Sequence, residues 1–171
     1  MPDPVFLLDK EEWDRIIPSG QTIKDKYILV YELMPSESLF KFALKLQHET
    51  GYKIIRISTK KQKINNVIFR GTDRPETFLN YIKNAEFVAT NSFHGTAFSI
   101  IFNKQFLVEY LKDSMSSLNS RISDLLQDYG LGNRVIGYDE MYSQIDYAEV
   151  NAHIMRRRTE SEKFIKELLE G

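Results

Sequence analysis

Cysteine is absent from the 171-residue chain. This excludes disulfides, thiolate nucleophiles and cysteine-ligated zinc, although it does not fix the cellular compartment. No uninterrupted apolar stretch approaches the roughly 18 to 20 residues that a membrane-spanning helix needs. The first nine residues lack a basic region and carry an apolar run of only four residues, which argues against a signal peptide. We therefore predict a cytoplasmic protein that does not cross a membrane.

The chain has no excess of either charge, because 23 Lys and Arg residues are balanced by 24 Asp and Glu residues. A nucleic-acid partner would need a clear basic excess, so none is predicted. The sequence has no His-x-x-x-His pair and no dense acidic cluster, so no metal site is predicted. No G-x-G-x-x-G motif follows the first predicted strand, where Glu32 to Ser36 stands instead. The pyrophosphate cradle of a nicotinamide dehydrogenase is therefore lacking.

Short β-branched or aromatic runs alternate with helical patterns along the chain. This alternation predicts βαβ units and an α/β fold with a mostly parallel sheet. The first run is continuously apolar, which is typical of a central strand that is covered on both faces. The predicted strands are Tyr27–Tyr31, Lys53–Ser58, Val67–Phe69, Glu86–Thr90 and Gln105–Val108.

Helix signals separate these strands. Ser36 is placed to cap a helix, and Pro75 suits the first position of the next one. The stretch from Phe93 to Phe102 is almost entirely apolar, which predicts a helix that is buried on all sides. Two more helices are predicted near the C-terminal end. One is amphipathic and ends at Gly130, and one is long and opens with a capping box at Asp146.

The segment Thr90-Asn-Ser-Phe-His-Gly-Thr96 lies at a predicted strand-to-helix junction. Ligands of open parallel sheets bind at such junctions, outside the carboxyl ends of the strands. Ser92 can cap the helix, Gly95 permits close approach to the backbone, and the N–H groups of the first turn favour a carboxylate or phosphate. His94 adds a titratable group to this turn. Two interpretations of His94 stay open: a functional group at an anion site, or a residue that caps the helix and fills space.

A longer stretch around this segment, Phe78 to Phe106, resembles the signature region of the polysaccharide pyruvyl transferase family. Supporting matches lie at residues 3–13, 27–31 and 119–126. The resemblance runs over essentially the whole chain but corresponds only to the family's C-terminal half. It implies that residues 1–171 form a single Rossmann-like, three-layer domain, similar to the C-terminal half of a GT-B fold, with the N-terminal domain absent.

Members of this family transfer pyruvate from phosphoenolpyruvate to a sugar of a cell-surface polysaccharide or its precursor. The resemblance implies an enzyme with an anionic donor and a glycan or lipid-linked sugar acceptor, whose isolated C-terminal domain need not be active. No cofactor is implied beyond the donor substrate. His94 matches the family's active-site histidine and is the predicted catalytic residue. The predicted donor-binding residues are Ser92, Gly95, Thr96, Arg121 and Arg70.

The sequence departs from the family pattern at two positions. Many members have an arginine two residues before the histidine, where this chain has Ser92. Arginines elsewhere can replace its charge, and the candidates are Arg121, Arg70 and Arg74. Arg121 fits a solvated residue on an amphipathic helix nearly as well. Asn91 stands where an aspartate is common, which removes one carboxylate that could orient the histidine.

Two other functions stay open at this level. A GT-B-type glycosyltransferase would place the diphosphate of a nucleotide sugar at the same helix N-terminus. A non-catalytic Rossmann-like domain would bind a glycan or a protein partner, because function depends on sites and not on the fold alone. The basic stretch Thr59–Lys63 is interpreted as a solvated loop, with anion binding as the alternative.

Overall fold

The computed structural model describes residues 3–17, 23–58, 67–70, 74–137 and 143–170. The strands in these ranges are Tyr27–Tyr31 (β1), Lys53–Ile57 (β2), Val67–Arg70 (β3), Phe87–Thr90 (β4) and Gln105–Val108 (β5). The α-helices are Lys10–Ile16 (α1), Glu37–Thr50 (α2), Pro75–Asn84 (α3), Phe93–Ile101 (α4), Asn119–Asp128 (α5) and Tyr147–Glu170 (α6). The basic stretch Thr59–Lys63 lies outside the described residues.

The five strands form one parallel sheet in the order β3-β2-β1-β4-β5. The chain builds outward from β1 through β2 to β3 and then returns to place β4 on the other side of β1. Strand order therefore reverses between β1 and β4, where a crevice opens at the carboxyl edge. Tyr31 is in register with both Ile57 and Thr90, so the central strands end level with one another.

Helices cover both faces of the sheet, which makes three layers. Ile28 and Val30 of β1 pack against α2 on one face, whereas Leu29 faces the larger cluster that α3, α4, α5 and α6 complete. All three side chains are fully buried, and each contributes about 1.5–3 kcal/mol by leaving water. The predicted α/β class and the central position of the first strand are confirmed.

Local signals place the ends of the elements. The Ser36 side chain caps α2 by accepting the N–H of Leu39 at 3.2 Å, and Gly51 ends that helix with a φ of 72°. Asp146 caps α6 by accepting the N–H of Ala148 at 2.9 Å, one residue earlier than a capping box would require. Predicted and observed strand ends differ by at most one residue.

The helix α4 is the buried helix that its composition predicts. Residues 95–101 are all buried, and only the first turn reaches the surface. A helix whose side chains are apolar on every side is expected to lie between the sheet and other helices. Its first turn therefore has to emerge at the carboxyl edge, because the remainder is packed on all sides.

The long helix α6 is packed against the domain in its middle and exposed in its last turns. Its middle is tied to the N-terminal segment, because the Arg158 guanidinium donates to the carbonyls of Phe6 and Leu8 at 3.0 and 2.8 Å. Its last turns expose apolar side chains, with Phe164 52% and Leu168 66% exposed. No helix among the described residues is long and apolar enough to cross a membrane.

A buried ion pair fixes the connection between β1 and α2. The Arg56 guanidinium donates to both carboxylate oxygens of Glu32, at 2.7 and 3.0 Å, and stacks 4.0 Å above the Phe40 ring. Arg56 is 2% exposed and Glu32 4%. One Glu32 oxygen also accepts the N–H of Ser36 at 3.0 Å. The pair thus ties β2, the end of β1 and the start of α2 together.

Replacing Arg56 with Met is expected to lower the free energy of unfolding by about 3–5 kcal/mol, because the Glu32 carboxylate would stay buried without its partner. The matched control is Lys53→Met on the same strand, where the ion pair with Asp25 is exposed. Such a surface pair contributes about 0–1 kcal/mol. Urea unfolding of both variants checks the prediction, and equal losses would contradict it.

Candidate functional site at the strand-order reversal

The predicted segment forms the end of β4 and the first turn of α4, directly beside the reversal of strand order. Thr90 ends β4, and its hydroxyl donates to the carbonyl of Tyr31 at 2.8 Å across to β1. The same Thr90 oxygen accepts the N–H of Ser92 at 3.1 Å. A local turn thus directs the chain from the sheet into the helix with its buried polar groups bonded, as burial requires.

Asn91 holds the neighbouring loop in place. Its side-chain oxygen accepts the N–H of Leu33 at 2.8 Å, and its side-chain nitrogen donates to the carbonyl of Met34 at 2.7 Å. Both ends of the amide are therefore used by the β1–α2 connection. An aspartate here would have no donor for the Met34 carbonyl. The residue acts as a clamp between two loops, a role that the sequence did not reveal.

Three of the predicted donor-binding residues lie in the interior of this turn. The Ser92 hydroxyl caps α4 by accepting the N–H of Gly95 at 3.3 Å, which confirms the predicted cap. The Thr96 hydroxyl donates to the Ser92 carbonyl at 2.9 Å. All three residues are buried. Their contact with a donor stays a prediction, and the structure shows that their first role is to shape the turn.

Gly95 is needed because the backbone comes very close to β4 and β1. A Cβ added at this position would lie 2.3 Å from the Thr90 hydroxyl oxygen and 3.0 Å from a ring carbon of Tyr31. Separations below 3.0 Å are not sustained without a shift of the neighbouring atoms. The groups that come close to the Gly95 backbone therefore belong to the sheet, namely Thr90 of β4 and Tyr31 of β1.

His94 is the exposed group of the turn. Its imidazole stands edge-on to the Phe93 ring, with ring centroids 5.5 Å apart and an interplanar angle of 83°. No other described residue forms a hydrogen bond or an ion pair with it. The backbone N–H groups of Phe93 and His94 also have no partner within the described ranges, as is usual at a helix start. Among the described residues, the turn therefore has an exposed imidazole and two backbone donors without a partner.

Arg121 reaches the same turn from α5. Its guanidinium lies 4.1 Å above the Phe93 ring and pairs with the Asp3 carboxylate at 3.2 Å. Phe93 thus contacts both His94 and Arg121. The structure brings these two predicted residues together through an aromatic ring that sequence reasoning did not single out.

A groove of about 530 Å³ runs beside this cluster, lined by Asp3, Phe93, Arg121, Asp124, Tyr129 and Arg157 among others. Burial raises the pKa of Tyr129 to about 12, with a smaller contribution from the nearby Asp128 carboxylate. The Tyr129 hydroxyl therefore stays neutral at physiological pH. Charge in the groove is mixed, since two arginines face three carboxylates.

Arg70 lies at the same edge but away from His94. It ends β3 and is level with Ile57, which in turn is level with Tyr31 and Thr90. Three strand spacings of about 4.8 Å place it about 14 Å from Thr90. Its guanidinium donates to the Tyr81 hydroxyl at 3.1 Å. The sequence alone could not show this separation, because it depends on strand order.

Fold and site together define a Rossmann-like α/β domain with an exposed histidine at a helix start beside the strand-order reversal. A family model described as polysaccharide pyruvyl transferase matches residues 1–112. The chain belongs to the polysaccharide pyruvyl transferase family. Within the described residues, no three His, Cys, Asp or Glu side chains are grouped to hold a metal ion.

Two solved structures are similar to this chain. One is UDP-GlcNAc 2-epimerase from Methanocaldococcus jannaschii, with 12% identity and a TM-score of 0.48 over 78% of this chain and 39% of that one. The other is the glycosyltransferase SnogD from Streptomyces nogalater, with 12% identity and a TM-score of 0.45 over 84% and 40%. The chain thus spans well under half the length of either protein. No curated protein matches it significantly in sequence.

Replacing Gly95 with Ala is expected to lower the free energy of unfolding by about 1–3 kcal/mol, because the added methyl group overpacks the contact with Thr90. Gly132→Ala is the matched control, since nothing lies within 4 Å of its Cβ position, and we expect a change within about 0.5 kcal/mol. Denaturant unfolding compares the two. If Gly95→Ala were as stable as the parent, the steric account of this glycine would be wrong.

Proposed function

We propose that this chain is the C-terminal domain of a cytoplasmic enzyme that transfers pyruvate from phosphoenolpyruvate to a sugar of a cell-surface polysaccharide or its precursor. Membership of the family supports the reaction type. The observation that carries the assignment to a site is His94, which has no bonding partner among the described residues. It stands at the start of α4, three residues beyond the clamp residue Asn91 and its β1–α2 contacts.

The donor is a small molecule with a carboxylate and a phosphate, and the turn offers groups that suit both. The free N–H groups of Phe93 and His94 lie at the positive end of the α4 dipole. An anion there gains about 0.3–1 kcal/mol, or up to about 2 kcal/mol when partly buried. The Arg121 guanidinium, stacked on Phe93 and paired with the Asp3 carboxylate, lies in the same region. It would take the part of the arginine that many family members have at the position of Ser92.

His94 then acts on the enol. Its imidazolium gives a proton to the methylene carbon, which becomes a methyl group, while the neighbouring carbon takes on positive character. A sugar hydroxyl attacks that carbon, and its proton passes to a base. The bond between the carbon and the phosphate oxygen then breaks and releases inorganic phosphate. A second hydroxyl of the same sugar adds to the carbon and loses its proton, which closes the ketal. Positioned proton transfer of this kind contributes about 10²–10⁴-fold to the rate. Ser92, Gly95 and Thr96 hold the turn that presents the imidazole and take part in donor binding through its backbone.

A second domain completes the cleft in this proposal. The last turns of α6 expose Phe164, Leu168 and Leu169 on a helix whose earlier turns are packed. Exposed apolar surface of this kind marks an interaction site. We assign it to the N-terminal domain of the family, which would lie opposite the carboxyl edge and contribute the remainder of the acceptor site.

Phosphoenolpyruvate is expected to shift the amide signals of Phe93 and His94 in ¹⁵N NMR spectra of the chain, because it binds their N–H groups. His94→Ala should weaken binding roughly 10- to 100-fold, since a hydrogen bond to a charged group contributes about 1.5–3 kcal/mol. His48→Ala is the matched control, because His48 is exposed in the last turn of α2 and should leave the affinity unchanged.

The titration is repeated with UDP-glucose and GDP-mannose. If only a nucleotide sugar perturbed the α4 turn, the donor assignment would be wrong and a glycosyltransferase would replace it. If phosphoenolpyruvate bound equally well to His94→Ala, the histidine would have no part in donor binding. Shifts at Phe93 and His94 that are lost in the variant would support the proposal.

A further inference from the structure

A second cavity of about 390 Å³ lies between the β1–α2 connection and the residues that follow β5. It is separate from the groove beside Arg121 and shares no lining residue with it. Asn91 lines its inner end, at the reversal of strand order. Its polar lining includes Ser36, Ser38, Glu109 and Lys112. We call it the switch crevice.

Both walls of the switch crevice are held by asparagine side chains. Asn91 clamps the Leu33 and Met34 backbone on one wall, as described above. On the other wall, Asn119 donates to the carbonyl of Leu111 and accepts its N–H, both at 2.8 Å. The crevice is therefore shaped before any ligand arrives, which reduces the ordering cost of binding.

The Glu109 carboxylate is a hydrogen-bond acceptor in the lining of this cavity. Its backbone N–H continues the sheet by donating to the Thr90 carbonyl at 2.9 Å, which fixes where its side chain begins. One carboxylate oxygen accepts a hydrogen bond from the Ser38 hydroxyl across the crevice. The other oxygen has no partner among the described residues. A half-exposed carboxylate with a free oxygen is a strong acceptor for a hydroxyl group.

The charge of the lining selects the kind of ligand. Glu37 and Glu109 contribute two carboxylates against the single ammonium of Lys112. A dianion such as phosphoenolpyruvate would be repelled here, whereas a neutral polyhydroxy ring meets hydroxyls, a carboxylate and an ammonium that can all bond to it. The switch crevice and the α4 turn thus suit different substrates.

The two sites are neighbours in the chain. Asn91 lines the crevice and His94 stands three residues further on, so their Cα atoms are at most about 10 Å apart. A sugar seated in the crevice therefore lies beside the turn that carries the histidine.

We propose that the switch crevice binds a sugar ring of the acceptor, with Glu109 accepting a hydrogen bond from one of its hydroxyl groups. This rests on the proposed function, in which a sugar receives pyruvate near His94. Glu109 is then a specificity-determining residue that orients the ring toward the donor, and Ser38 holds its carboxylate in place.

The test uses the ¹⁵N-labelled chain and four probes: methyl β-galactoside, methyl β-glucoside, N-acetylglucosamine, and glycerol as a non-cyclic polyol. We expect at least one sugar, and not glycerol, to shift the backbone amides of Ser38 and Leu111 and the side-chain amide of Asn91. Glu109→Gln should weaken the binding of that sugar at least tenfold. Glu86→Gln is the matched control, because Glu86 pairs with Lys26 on the surface at the opposite end of β4.

The inference is overturned if no sugar shifts these signals, or if Glu109→Gln binds the sugar as tightly as the parent. If the NMR spectrum shows that Glu109→Gln does not fold, Glu109→Asp is used in its place. Aspartate keeps the negative charge, but its side chain is shorter and does not extend as far into the crevice. Failure of the proposed function has a different signature. Phosphoenolpyruvate would then leave Phe93 and His94 unshifted, whatever the sugars do in the switch crevice.

Discussion

The two hydrogen bonds of the Asn91 side chain hold the functional end of this domain together. Strand order reverses between β1 and β4, so the loops that leave these strands diverge to opposite faces of the sheet. Asn91 spans the divergence by bonding the Leu33 N–H and the Met34 carbonyl. The α4 turn with its histidine lies on one side of this clamp and the switch crevice on the other. The clamp thus lies between the two sites and contributes to the position of each.

Polar groups at the carboxyl edge divide into two sets. The buried ones, such as Glu32, Arg56 and Thr90, are fully occupied with one another and with the backbone. This is what burial demands, because an unbonded polar group in the interior costs about 1–3 kcal/mol. The exposed ones, His94 and the outer oxygen of Glu109, have no such partner within the described residues. Groups of this second kind can bind a ligand without disturbing the fold.

The two sites differ in the groups they present as well as in position. Backbone N–H groups and the Arg121 guanidinium, which is paired with Asp3, lie at the α4 turn, whereas serine hydroxyls, two carboxylates and the Lys112 ammonium line the switch crevice. A transferase that joins an anionic donor to a neutral sugar needs this kind of separation, because each substrate is repelled or poorly bonded at the other's site. The proposed reaction rests on membership of the family, and the groups at the two sites suit the donor and the acceptor that it proposes.

The sequence by itself determined the elements of the fold, since the signals are local. The cap at Ser36 and the all-apolar α4 depend on residues a few positions apart. Tertiary structure decided which distant residues meet. It stacked Arg121 on Phe93 and set Arg70 three strands away, because strand order, not sequence spacing, governs distance across a sheet. Asn91 and Glu109 gave no local signal, since each acts on a loop contributed by another part of the chain.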